Sequence, residues 1–132
     1  MTRVLIAASA LLTVMFINAV GGRIEGYLFP VVTPGSIERL ERVGETRTRI
    51  WGRSARLRDC SFDQLVWFLG DNDHAARADL VFEEGTKVRG DGTFSFGPWV
   101  VQLTPEQLQD RSYAVVYHRC HIFWLTETRF YR

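Results

Sequence analysis

Lysine is almost missing from this 132-residue chain, since fifteen of its sixteen basic residues are arginine. We read that skew as a coding bias rather than a mechanism. Catalytic signatures are missing as well. There is no G-x-S-x-G elbow, no H-E-x-x-H helix and no glycine-rich phosphate loop, so the chemistries that depend on those geometries have no starting point. Neither charge is in excess: sixteen basic residues face fifteen acidic ones, and the formal net charge is +1. Two of the basic residues, Arg3 and Arg23, lie at or before the end of the first apolar stretch, and every acid lies after it. The rest therefore carries fourteen basic and fifteen acidic residues, a balance that argues against general nucleic-acid binding. No repeat, low-complexity tract or interdomain linker is visible, and one domain is the expectation for this length.

The longest uncharged run is Val4 to Val20, seventeen residues followed by Gly21-Gly22-Arg23. At about 1.5 Å per residue it covers about 26 Å, just short of a hydrocarbon core. Two readings compete. The run is a single-pass anchor, with Tyr27 and Phe29 at the interface beyond it, or a signal peptide cleaved near Ala19-Val20-Gly21. Either carries the remainder out of the cytoplasm. The expected organisation is an anchor or signal over residues 1–22, a connector over 23–35 and an extracytoplasmic domain over 36–132. Pro30 and Pro34 make Glu25 to Gly35 read as extended.

Only two cysteines are present, Cys60 and Cys120. In an oxidising compartment they form one disulfide, closing a loop of 60 residues and stabilising by about 4 kcal/mol through loop-closure entropy. In the cytosol both would stay reduced.

Beyond the connector, short apolar stretches alternate with turn signals. Ser36 to Val43 reads as an edge strand or a single turn. Arg47 to Leu57 is a strand in which Gly52 marks a bulge. Ser61 to Leu69 is a strand, apolar on both faces toward its end, and Ala78 to Phe82 is a short one. Turns are expected at Asp71-Asn72-Asp73, Glu84-Gly85 and Gly90-Asp91-Gly92. Thr93 to Leu103 is a strand interrupted at Gly97-Pro98 by a bulge or an edge position. Thr104-Pro105-Glu106-Gln107 has the form of a capped helix start. Ser112 to Trp124 is the central strand, and Leu125 to Tyr131 is one more strand or the far half of a bent one. The four tryptophans are expected mostly in the core. The whole reads as all-β: a small antiparallel β-sandwich behind one N-terminal helix. The order of Cys60, Trp67, Asp110, Tyr117 and Cys120 loosely resembles the immunoglobulin fold, with Tyr117 three residues before the second cysteine where that family has two. The resemblance implies a disulfide joining the two sheets.

Candidate sites are few. His118, Cys120 and His121, with His74 or Cys60, supply zinc-type ligands, although on a strand His121 points away from the other two. A cysteine nucleophile with a histidine base would need a free thiol. Asp59, Asp63, Asp71, Asp73 and Glu83 offer carboxylates without a distinguished pair, and Asp71-Asn72-Asp73 offers oxygen ligands without the rest of a calcium loop. Arg47, Arg49, Arg53, Arg56 and Arg58 crowd five cations into twelve residues. They form either an anion-binding surface or a solvated face paired with acids across the sheet.

The leading expectation is a membrane-tethered binding or interaction protein without a catalytic site or cofactor. Its partners would be the bilayer, through residues 4–20, and an envelope protein or glycan. It would sit in the cytoplasmic membrane with its C-terminal domain outside, or be periplasmic or secreted if cleaved. The alternatives are an accessory subunit of a membrane complex, and a metal protein or enzyme built on His118, Cys120 and His121.

Overall fold

The computed structural model describes residues 1–71, 73–83 and 92–132. It contains one long helix, α1 (Thr2–Leu28), followed by β1 (Ser36–Arg42), β2 (Thr48–Arg56), β3 (Ser61–Leu69), β4 (Ala76–Ala78), β5 (Leu80–Phe82), β6 (Gly92–Val101), α2 (Pro105–Arg111), β7 (Ser112–Arg119) and β8 (Thr126–Tyr131). The strands form two four-stranded antiparallel sheets, in the orders β1-β2-β6-β5 and β4-β3-β7-β8. The sequence expectation of an all-β body behind an apolar helix therefore holds.

Alternation places the core. β2 turns Thr48, Ile50, Gly52 and Ser54 inward, and β8 turns Thr126, Thr128 and Phe130 inward. Trp67, Phe96, Trp99 and Phe130 fill the space between the sheets, with Phe96 stacked on Trp99 at 4.5 Å and edge-on to Phe130 at 5.2 Å. The other two tryptophans are not core. Trp51 lies on the outer face of β2 under the Arg39 guanidinium, 4.5 Å from its centroid, and Trp124 is half-buried against α1.

Several sequence expectations hold in detail. β1 is an edge strand. The β2 register shifts between Ile50 and Gly52, opposite the Gly97-Pro98 stretch of the inner strand β6, so that break is a bulge rather than an edge. Gly97 has φ of +96°, and a Cβ there would collide with the Ile50 carbonyl. Thr104 caps α2 with a reciprocal capping box: its hydroxyl accepts from the Gln107 amide and the Gln107 side chain accepts from the Thr104 amide. The buried Leu108 of α2 closes the end of the sandwich where β6 finishes and β7 begins.

Others differ. The stretch Ala78 to Phe82 is two strands: β4 pairs with β3, β5 pairs with β6, and the chain changes sheet at Asp79. The central strand ends at Arg119, because Cys120 is drawn to Cys60 and the chain then turns. Helix α1 runs to Leu28, through the first residues of the expected connector. Pro30 restricts only the residue before it, Phe29, which is where the helix stops. The turns at Glu84-Gly85 and Gly90-Asp91, and Asn72 of the acidic triplet, lie outside the described residues.

The Cys60–Cys120 disulfide is present. The two residues directly extend the β3–β7 ladder past its Ser61–Arg119 pair, so the bond ties neighbouring strands of one sheet. An immunoglobulin disulfide joins two sheets, and the resemblance goes no further than residue order.

Candidate functional site

Helix α1 has two parts. Arg3 to Ala19 is exposed along its whole length, and this is the one helix among the described residues long and apolar enough to cross a membrane or act as a signal. From Gly21 the helix lies along β8. Gly21, Gly22, Glu25 and Gly26 share a face at helical spacing. A Cβ on Gly22 or Gly26 would overlap the carbonyl oxygens of Leu125 and Glu127, and one on Gly21 would press on the Trp124 ring. Only glycine lets the two backbones come this close. β8 is an edge strand, and the helix covers that edge.

Glu25 locks this contact. Its side chain is 14% exposed. One carboxylate oxygen accepts from Trp124 Nε1 at 2.8 Å, Thr126 Oγ1 at 2.9 Å and His121 Nε2 at 2.8 Å. The other accepts from Arg58 Nη2 at 2.8 Å. His121 Nδ1 accepts the Phe123 amide, so the ring proton sits on Nε2 and points at Glu25. Arg58 also donates to the carbonyl of Phe29 at the helix end. Burial is the largest single influence on this carboxyl and would raise its pKa. The donors Arg58, His121, Trp124 and Thr126 together overturn it and hold the group at about 2. This cluster is a structural joint between α1 and the β7–β8 loop.

The concavity with the character of a binding site lies between the sheets. It has a volume of about 550 Å3, within the range of ligand pockets. Leu65, Trp99, Val116 and Phe130 line its interior, and Phe62, Phe82 and Phe94 stand toward its mouth. Arg56, Ser61 and His118 are its polar members, and Cys60 of the disulfide contributes to the wall. Phe62 and Phe82 are exposed large apolar side chains in edge-to-face contact at 6.5 Å. Arg56 is committed to the β2–β3 loop: it donates to Asp59 at 2.6 Å and to the carbonyls of Arg58 and Cys60.

His118 is the unusual member. It is 6% exposed, and its Nδ1 has no hydrogen-bond partner among the described residues. Burial first, and the Arg56 charge second, lower its pKa to about 4, so the ring is neutral at pH 7. An unmet buried polar atom costs about 1–3 kcal/mol, a cost that a ligand hydroxyl or carbonyl would relieve.

A second, wetter concavity of about 820 Å3 runs between the end of α1 and the outer face of the β3–β7–β8 sheet. Tyr27, Phe68, Tyr113 and Tyr117 line it. Phe68 stacks on Tyr113 at 5.0 Å, and Arg129 lies over the Tyr113 ring at 4.4 Å.

The residues singled out from sequence are scattered. His118 faces the pocket, His121 serves the helix joint, and His74 is exposed in the β3–β4 turn. No group of three or more His, Cys, Asp or Glu able to hold a metal occurs among the described residues. Both thiols are consumed in the disulfide, which removes the cysteine nucleophile and the sulfur ligands. Of the five arginines, four are paired. Arg49 makes a two-pronged contact with Glu83 at 2.8 and 3.1 Å, Arg53 meets Glu38 at 3.2 Å, Arg56 meets Asp59 and Arg58 meets Glu25. Arg47 is exposed in the β1–β2 turn without an ion pair among the described residues.

Sequence reasoning missed Glu25, Gly22 and Gly26. The signal was available: small residues and one acid at positions 21, 22, 25 and 26 recur at helical spacing immediately after an apolar helix. Comparison with family models, with curated proteins and with solved structures found no match.

Proposed function

We propose that this chain is a membrane-tethered, non-enzymatic β-sandwich that binds a small, largely apolar ligand between its sheets. The observation that carries the reading is the 550 Å3 apolar pocket with His118 as its buried, unpartnered polar group. The ligand that fits is an alkyl or ring system bearing one uncharged polar group. A hydroxyl suits best, because it can donate or accept whichever tautomer His118 adopts, after a small turn of the ring. An ionised head group would add cost inside so apolar a wall.

The tether is supported by the continuity of α1, whose exposed apolar part passes without a break into the part fastened to β8. The disulfide supports a place outside the reducing cytoplasm. The reading is tested with the full chain in phospholipid nanodiscs, by following the Trp99 indole and His118 imidazole NMR signals as a medium-chain alcohol is added. Saturable shifts of both, abolished by Leu65→Trp, are expected. A folded protein in which neither signal moves defeats the reading.

The outer groove beside α1 favours a second reading, an accessory subunit whose partner lies along the helix and the aromatic face of β7. Tyr27 stands fully exposed at its rim. Co-migration with a larger assembly after mild detergent extraction, lost in Tyr113→Asp, is the expected outcome; a monodisperse monomer under the same extraction refutes it.

A further inference from the structure

The β7–β8 loop carries apolar surface that the fold does not use. Ile122 is 86% exposed and Phe123 69% exposed, and together they form the loop tip. The loop is not free to fold these side chains inward. Cys120 at its start is bonded to Cys60. His121 is held between Glu25 and the Phe123 amide, and the Trp124 indole is held by Glu25. Two bulky apolar groups are thus kept in solvent by a rigid frame.

Their height along α1 gives the reason. Trp124 packs at Gly21, one residue past the end of the Val4–Val20 run. That run spans about 26 Å, while a hydrocarbon core is about 30 Å thick, so the uncharged run, though not the 27-residue helix it belongs to, is short by about one turn. Ile122, Phe123 and Trp124 stand beside the level where the missing apolar length belongs, and tryptophan is the residue enriched at such a boundary. Leu57, more than half exposed, lies in the β2–β3 loop that the disulfide joins to this one. Asp59 in the same loop is exposed and limits how deep that end of the sandwich can sit.

We infer that the Ile122–Phe123 tip is a second membrane contact, which inserts into the outer edge of a phospholipid bilayer beside α1. The inference rests on the reading of residues 4–20 as a retained span. The apolar surface is continuous from the helix to the loop through the Gly21–Trp124 contact, which is why a bilayer, and not a protein, is the occupant that fits. One span would leave the sandwich free to swivel about the helix axis. A second contact at a fixed offset sets its azimuth and seats the pocket end of the sandwich toward the lipid.

The test uses the full-length chain in phosphatidylcholine–phosphatidylglycerol nanodiscs with a benzophenone amino acid placed singly at Phe123, at Phe16 within the span, or at Glu45 in the turn at the opposite end of the sandwich. All three positions are exposed, so folding is not at risk. Irradiation should yield lipid adducts at positions 123 and 16 and none at 45. Adducts at 16 without adducts at 123 overturn the insertion and leave the span standing. Adducts at neither 16 nor 123 remove the span, and the insertion with it. Adducts at all three show unspecific contact and also overturn the inference.

Discussion

Replacing Glu25 by Gln should weaken the protein at neutral pH and leave it unchanged in strong acid. The carboxyl titrates at about 2 in the folded state, against 4.5 without the fold. A carboxyl whose folded pKa lies below its unfolded one contributes its full stability above pH 4.5 and loses it as pH falls through 2. At about 1.36 kcal/mol per pH unit, the difference corresponds to about 3 kcal/mol. Glu25→Gln keeps the shape and an acceptor for Trp124 and Thr126, and removes the charge that faces Arg58 and His121. The assay is urea unfolding of the oxidised full chain in detergent micelles between pH 7 and 2, read by tryptophan fluorescence. The two proteins should differ by about 3 kcal/mol at pH 7, and the gap should close between pH 4.5 and 2. Glu83 and Glu106, whose pKa values are also lowered by their partners, act equally in both proteins and cancel. Parallel curves across that window would refute the role given to Glu25.

Three further outcomes follow from the same geometry. His118→Leu should remove a stability loss that the wild type suffers as pH falls from 6.5 to 4, because a buried neutral histidine opposes charging; unfolding midpoints at pH 7 and 4.5 check it. Gly26→Val should cost about 1–3 kcal/mol by forcing α1 off the Glu127 carbonyl, with a red shift of Trp124 emission as the helix lifts. The double change Cys60→Ser with Cys120→Ser should cost about 4 kcal/mol, measured from the urea midpoint together with a slope that rises as the unfolded chain loses its crosslink.

Local chemistry made much of this architecture readable. The Thr104 capping box needs only four residues, and β3 covers the expected Ser61 to Leu69, ending with its apolar run. The disulfide is expected from there being two cysteines behind an apolar N-terminal segment. The features that the sequence does not reveal depend on distant partners. Glu25 meets Trp124 and Thr126 across about a hundred residues, and no window around Glu25 reveals them. The sheet change at Asp79 is not decided locally, because a five-residue stretch with one polar residue serves one sheet or two equally well. The pocket was illegible for a related reason. In sequence His118 is a neighbour of Cys120 and His121, but β7 ends at Arg119, Cys120 goes to the disulfide and His121 to Glu25, and His118 is left facing Phe62 at 6.0 Å.

The glycine face of α1 has a mechanical consequence. With no flexible tether between rod and body, torque applied to one is delivered whole to the other. Were the exposed part of α1 held in a bilayer, as proposed, a change in the lean of the rod would re-aim the mouth marked by Phe62 and Phe82 by the same angle. A flexible spacer of ordinary length would have absorbed that motion, so swapping Gly22 and Gly26 for larger residues would do more than loosen a contact: it would uncouple where the protein is held from where it faces.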